Sequence, residues 1–165
     1  MEDYTVAVLV RNQYGVLNRV TSMLRRRQLN IGSLTVSETE SPEYSRITIR
    51  SCSETLARRQ LLEQLDKLPD VCFIEEMDEE TSVSWESMLI KMENGPQVRE
   101  TAEAMGAATL DQRENTVIFS LAGDTRQLNQ FVDRMKPYTI LEMCRTGAVS
   151  LRKGSSTIRK AEVSA

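Results

Sequence analysis

The sequence predicts an α+β protein made of two ferredoxin-like β-α-β-β-α-β domains. Three observations lead there. A length of 165 residues accommodates two compact domains, each of about 70 to 80 residues. Apolar residues switch repeatedly between the period-two pattern of strands and the spacing of amphipathic helices. One element order recurs on either side of a polar, mostly acidic stretch, Asp78 to Ser84. Hydrophobic residues make up 40% and charged residues 27% of the chain, the balance of a folded soluble protein rather than a disordered one.

In the first half, residues 4–10 place Tyr4, Val6, Val8 and Val10 on one face of a strand. Asn12 to Gly15 breaks the pattern. Val16, Leu17, Val20, Met23 and Leu24 then recur at helical spacing, with Asn18, Arg19, Arg25 and Arg26 on the wet face, and the helix is expected to end near Gln28. Residues 30–38 and 44–51 read as a hairpin joined through Thr39 to Pro42, because proline suits a turn and not a central ladder. Residues 54–67 form a second helix with a stripe of Leu61, Leu62, Leu65 and Leu68, stopped by Pro69 and Asp70. Residues 71–77 return as a strand. The resulting four-stranded sheet has helices on one face, and the other face either meets a second chain or is polar enough for water.

The second half repeats the order. Residues 85–92 suit a strand, and Pro96 to Met105 a helix with proline in its first turn and Val98, Ala102 and Met105 on one side. Residues 107–112 and 116–122 form a hairpin around Arg113 to Asn115. Asp124 caps a helix that turns Leu128, Phe131, Val132 and Met135 inward and stops at Pro137. Residues 140–146 form the last strand. The expected domains are therefore 1–78 and 85–150, with a linker at 79–84. Residues 151–165 carry Arg152, Lys153, Arg159 and Lys160 without a sustained period and read as a flexible basic tail, either solvated or touching an acidic partner surface.

Chemistry is sparse. The chain has 21 basic and 24 acidic residues, a net charge of −3, so no global field draws it to nucleic acid or an anionic bilayer. It has no apolar run of about 18 residues that could span a membrane, and its acidic start does not resemble a secretory signal. A cytoplasmic location is expected. There is no histidine, which removes the commonest proton-transfer group and metal ligand. Cys52, Cys72 and Cys144 lack paired spacing or an activating motif and read as small buried thiols. The acidic cluster Glu75, Glu76, Asp78, Glu79 and Glu80 suits a solvated linker at least as well as a cation, without a calcium-loop order. No phosphate-loop or dinucleotide fingerprint is present. The expectation is a non-catalytic chain with no metal or cofactor of its own.

Gly15 lies between a strand and a helix. It serves either a tight turn or a site where helix-start N–H groups receive a carboxylate. Asn12 either caps that turn or offers its amide to a ligand, and Asn30, at the opposite joint, invites the same two readings.

The segments Asn12-Gln13-Tyr14-Gly15-Val16-Leu17, Arg27-Gln28-Leu29-Asn30-Ile31-Gly32-Ser33-Leu34-Thr35-Val36 and Ser45-Arg46-Ile47-Thr48-Ile49 resemble the N-terminal ACT domain of the small regulatory subunits of acetohydroxyacid synthase. Glu142 to Leu151 resembles the C-terminal block of the same family. The resemblance implies a regulatory subunit that associates with a large catalytic subunit dependent on thiamine diphosphate, with magnesium and FAD belonging to that partner. It implies activation of the catalytic subunit and feedback inhibition by valine or another branched-chain amino acid. It implies a homodimer through the N-terminal domains, with ligand positions at Asn12, Gly15, Val16, Leu17 and Asn30. The chain departs from the family at Gln28 and Leu29, where glycine and an aromatic are common, at Gly32, commonly acidic, and at Val16, commonly smaller. A free-standing amino-acid sensor is the alternative function.

Overall fold

The computed structural model describes residues 2–27 and 29–158. Gln28, where the first helix was expected to end, and Arg159 and Lys160 of the expected tail lie outside the described residues. The chain divides into two compact units, one taking in the chain to Val83 and again from Val149, the other running Ser84–Ala148. Both ferredoxin-like domains are present.

The first unit contains β1 (Glu2–Arg11), α1 (Val16–Arg26), β2 (Ile31–Glu38), β3 (Tyr44–Ser53), α2 (Thr55–Asp66) and β4 (Val71–Met77). Its antiparallel ladders give the sheet order β2-β3-β1-β4. Period two sends Tyr4, Val6, Val8 and Val10 to one face, where they form a core with Val16, Val20 and Leu24 of α1, Ile47 and Ile49 of β3, and Leu61 and Leu65 of α2. Leu17 belongs to the same periodic set but is 43% exposed. At the first turn of α1 it lies beyond the edge of the packed stripe.

The other face of this sheet is polar at its margins and closed at its centre. Cross-strand register puts Asp3 opposite Cys52, Thr5 opposite Arg50, Ala7 opposite Thr48 and Leu9 opposite Arg46. Ala7, Leu9 and Thr48 are buried, and residues from 149 return to this unit. This is the chief departure from the sequence expectation of a tail from 151. Val149–Arg152 forms a strand, β9. Arg46 Nη2 donates to Ser150 O at 2.5 Å, and Arg152 meets the Glu75 carboxylate through Nε at 2.7 Å and Nη2 at 2.5 Å. Lys153 donates its N–H to Thr81 O at 2.9 Å and its ammonium to Glu79 O and Glu80 O. Burial pushes the Arg46 guanidinium below its ordinary range, opposed by the charges of Glu75 and Glu40. The basic composition that looked like a solvated end is thus spent partly on internal carboxylates and carbonyls.

The second unit contains most of β5 (Ser82–Glu93), then α3 (Pro96–Ala104), β6 (Ala108–Gln112), β7 (Thr116–Gly123), α4 (Thr125–Met135) and β8 (Ile140–Arg145), with sheet order β6-β7-β5-β8. β9 pairs β5, whose first residues, Ser82 and Val83, belong to the same unit as β9. Met88, Ile90 and Met92 of β5 pack with Val117 and Phe119 of β7, Val98 and Ala102 of α3, and Leu128, Phe131 and Met135 of α4. Asp124 caps α4 as expected, within a capping box: its carboxylate accepts from Gln127 N, and Gln127 Oε1 accepts from Asp124 N. A buried carboxylate holds three elements of this unit together. Glu86 on β5 accepts from Arg145 Nε at 2.6 Å and Nη2 at 2.9 Å and from Thr125 Oγ1 at 3.2 Å, while Arg145 Nη1 donates to Asn129 Oδ1 at 2.7 Å.

Two further expectations need correction. The stretch 79–84 does contain the division between the units, at Val83 and Ser84, but it is not linker throughout, since β5 already begins at Ser82, which is buried and gives both its N–H and its hydroxyl to Asp78 O. The segment is a turn tied at both ends. The cysteines are not uniformly buried: Cys52 and Cys144 are exposed and Cys72 is half-buried. Cys52 faces away from the helices, opposite Asp3, and a hydrogen bond to that carboxylate pushes its thiol above the ordinary range. Cys144 lies opposite the exposed Leu89 on the uncovered face of the second sheet. Apolar neighbours in sequence do not fix burial in a sheet with only one covered face.

Candidate functional site

The β1–α1 loop is built by a tight turn. Val16 N–H donates to Gln13 O at 3.4 Å, and Gly15 between them has φ 82° and ψ −4°, the geometry of the third residue of a type II turn, which glycine adopts without strain. A Cβ there would meet Arg19 Nη1 at 3.4 Å. The tight-turn reading of Gly15 is therefore realised. It also lifts Tyr14 clear of the protein, fully exposed.

α1 begins immediately after this turn with no side-chain cap and no acidic residue in its first turn. Its first backbone bond from within runs from Arg19 N to Gly15 O at 3.0 Å, which leaves the N–H groups of Leu17 and Asn18 without a carbonyl four residues behind them. Val16 N–H is spoken for by Gln13, and the Val16 side chain is buried in the core. Of the three positions Gly15, Val16 and Leu17, Val16 therefore acts through the shape of the loop rather than as a donor. Arg19 adds a cation that the sequence pattern assigned only to the wet face of the helix. Its Nε contacts Asp70 Oδ2 at 2.6 Å, and Asp70 O in turn accepts from Arg11 N at 2.9 Å. The only sequence signal for it is its spacing of four from Gly15. Together these groups favour an anion at the helix start.

Asn12 fixes the far side of the loop. Its amide donates to Glu38 Oε1 at 3.2 Å and to Pro42 O at 3.0 Å, and its N–H donates to Glu43 O at 2.7 Å. Asn12 is thus both a clamp on the β2–β3 hairpin and an exposed amide beside Gly15. Asn30 does not join this group within one chain. It precedes β2, and its carbonyl accepts from Ser51 Oγ at 2.6 Å, next to the register pair Tyr4 and Ser51 at the start of β1. Asn12 follows the end of β1. The strand between them separates the two asparagines by roughly 20 Å.

Among the described residues, no group of three or more His, Cys, Asp or Glu side chains is placed to hold a metal ion, and no helix is long and apolar enough to cross a membrane. What the loop presents is the start of α1, with the Leu17 and Asn18 N–H groups beside the Arg19–Asp70 pair.

Residues 6–73, which include this loop, match the AHAS small subunit-like ACT domain, and residues 85–154 match the small subunit of acetolactate synthase. The chain belongs to the acetolactate synthase small-subunit family. It is 36% identical over 156 residues to a probable acetolactate synthase small subunit of Archaeoglobus fulgidus, covering 92% of this chain and 98% of that one. It is 35% identical over 165 residues to the acetolactate synthase small subunit of Mycobacterium bovis, covering 98% of both. The crystal structure of the small subunit from Thermotoga maritima is similar with a TM-score of 0.85 at 26% identity, over 94% of this chain and all of that chain. The acetolactate synthase small-subunit likeness thus runs through both halves and through the loop carrying Asn12 and Gly15.

Proposed function

We propose that this chain is a non-catalytic regulatory subunit that binds the large, catalytic subunit of acetolactate synthase, raises its activity and makes it sensitive to a branched-chain amino acid, most simply valine. The observation that carries the reading is family membership over both structural units, with the likeness spanning nearly the whole of each relative. Thiamine diphosphate, magnesium and FAD belong in this reading to the catalytic subunit. The absence of histidine and the scarcity of activated groups agree with chemistry carried out elsewhere, and a cytoplasmic location follows from the same assignment. Reconstitution tests it. The purified chain is expected to copurify with the large subunit and to raise its rate of acetolactate formation, with inhibition on adding valine. A chain that neither binds the large subunit nor alters its rate ends the proposal.

The effector site in this reading is shared between two copies. β2 is an edge of the N-terminal sheet, and Val36 on it is 41% exposed. Two β2 edges pairing about a two-fold axis run antiparallel, so the Ile31 end of one meets the Glu38 end of the other. That arrangement carries Asn30 of one copy to the Asn12–Gly15 loop of its partner. The effector carboxylate is received by N–H groups around Gly15 and Leu17 with Arg19 nearby, Val16 shapes the loop, and the amides of Asn12 and Asn30 close on the polar end from two chains. In this reading the β2 edge is the surface that takes a partner. Val36→Glu places a charge on each copy at this seam. Sedimentation is expected to show the wild-type chain as a dimer and the variant shifted toward monomer; an unshifted dimer would move the interface elsewhere.

A further inference from the structure

The match to the C-terminal family module runs to residue 154, yet the compact second unit ends at Ala148, and residues from 149 belong with the N-terminal unit. The chain therefore leaves the C-terminal module as a strap, Val149–Lys153, held on the N-terminal sheet. The strap is fixed by groups and not by apolar packing: Val149 and Leu151 point outward and are exposed, while Ser150 is buried. Besides the pairing of β9 with β5 and the Lys153 contacts to Thr81, Glu79 and Glu80, its side-chain attachments to the sheet are Arg46 Nη2 to Ser150 O and the Arg152–Glu75 ion pair. Both holding side chains are largely enclosed: Arg46 Nε and Glu75 Oε2 are buried atoms.

The same groups lie close in the chain to the effector loop. Arg46 is on β3 just beyond the hairpin whose Glu38, Pro42 and Glu43 are held by Asn12, and the charge of Glu40 in that hairpin acts on Arg46. Both amide hydrogens of Asn12 face the hairpin. A ligand that takes the Asn12 amide takes it from Glu38 or Pro42, loosens the hairpin, and so changes the footing of Arg46 under the strap. This supplies the differential contact between two states that coupling requires.

We propose that Arg46, Glu75 and Arg152 are positioning residues for regulation, and that the strap they hold passes the state of the N-terminal unit into the C-terminal module. The inference deepens the regulatory reading above and rests on it.

The test uses the full chain with the large subunit and three variants, Glu75→Gln, Arg152→Gln and Arg152→Lys. Valine binding to the chain alone is measured by calorimetry, and synthase rate is measured with and without valine. Glu75→Gln and Arg152→Gln are expected to bind valine within about twofold of wild type while the change in rate that valine produces falls about fivefold, the size of one lost coupling contact. Arg152→Lys, which keeps the pair, is expected to restore most of the response. A full response in both glutamine variants overturns the inference, as does failure of Arg152→Lys to differ from Arg152→Gln, since a purely structural strap would show in thermal midpoint alone. If the wild-type chain does not bind valine, the feedback reading falls separately. The strap is then judged on activation: loss in both glutamine variants with recovery in Arg152→Lys supports it, and activation equal to wild type in all three overturns it.

Discussion

Gly15→Asp is expected to weaken valine binding by about 100-fold or more while leaving the fold intact. The magnitude follows from the loop. Two charge-assisted hydrogen bonds to the ligand carboxylate, at about 1.5 kcal/mol each or more, correspond to roughly two decades in Kd, and the new carboxylate occupies the position and supplies the charge that the ligand would bring. The fold survives for three reasons. Aspartate is among the few residues that enter the left-handed region at modest cost, of order 1–2 kcal/mol. A carboxylate at the start of α1 is favoured by the helix field, and Arg19 Nη1 lies 3.4 Å from where its Cβ is built, within reach of an ion pair. Gly15→Asn separates charge from shape, since it carries the same backbone strain and bulk without the charge. Its binding is expected to fall less than that of Gly15→Asp. Calorimetry on the isolated chain decides the matter, and valine binding to Gly15→Asp with wild-type affinity would remove Gly15 and its neighbours from the site.

The fold was legible because each element carries its own period. Val6, Val8 and Val10 alternate, Val16, Val20 and Leu24 recur by a helical turn, and Asp124 announces α4 three residues before the Gln127 that completes its capping box. Those are local signals, and the structure realises them within two residues at most boundaries. The strap was not legible, because a four-residue strand has no period to detect and its stability comes from Arg46 and Glu75, more than 70 residues away in the chain. Exposure of Cys52 and Cys144 escaped for a related reason: which face of a strand is covered depends on where the helices lie, not on the strand's own apolar content. At the candidate site, Gly15 and Asn12 were readable from their positions at a joint. Arg19 was not, since an arginine on a helix's wet face looks the same whether or not Asp70 turns it toward the loop.

Arg145→Met is expected to destabilise the second unit by about 3–5 kcal/mol, because it strands a buried charge. Glu86 is 5% exposed, and Arg145 supplies two of the three hydrogen bonds its carboxylate accepts, leaving only Thr125 Oγ1 at 3.2 Å. Arg145 also links β8 to α4 through Asn129, so the variant loosens the end of β8 just where the chain turns toward the strap. A unit this small has a total stability of the same order, so the variant approaches its unfolding threshold at room temperature. Replacing the whole pair, as Glu86→Leu with Arg145→Met, removes the stranded charge and is expected to recover most of the loss. The measurement is clean because the chain's one tryptophan, Trp85, is adjacent to Glu86 in the second unit, so its emission during urea unfolding follows that unit. A midpoint for Arg145→Met within experimental scatter of wild type would mean that the Glu86 carboxylate finds water or another donor when Arg145 is gone, and that the network orients β8 without stabilising it.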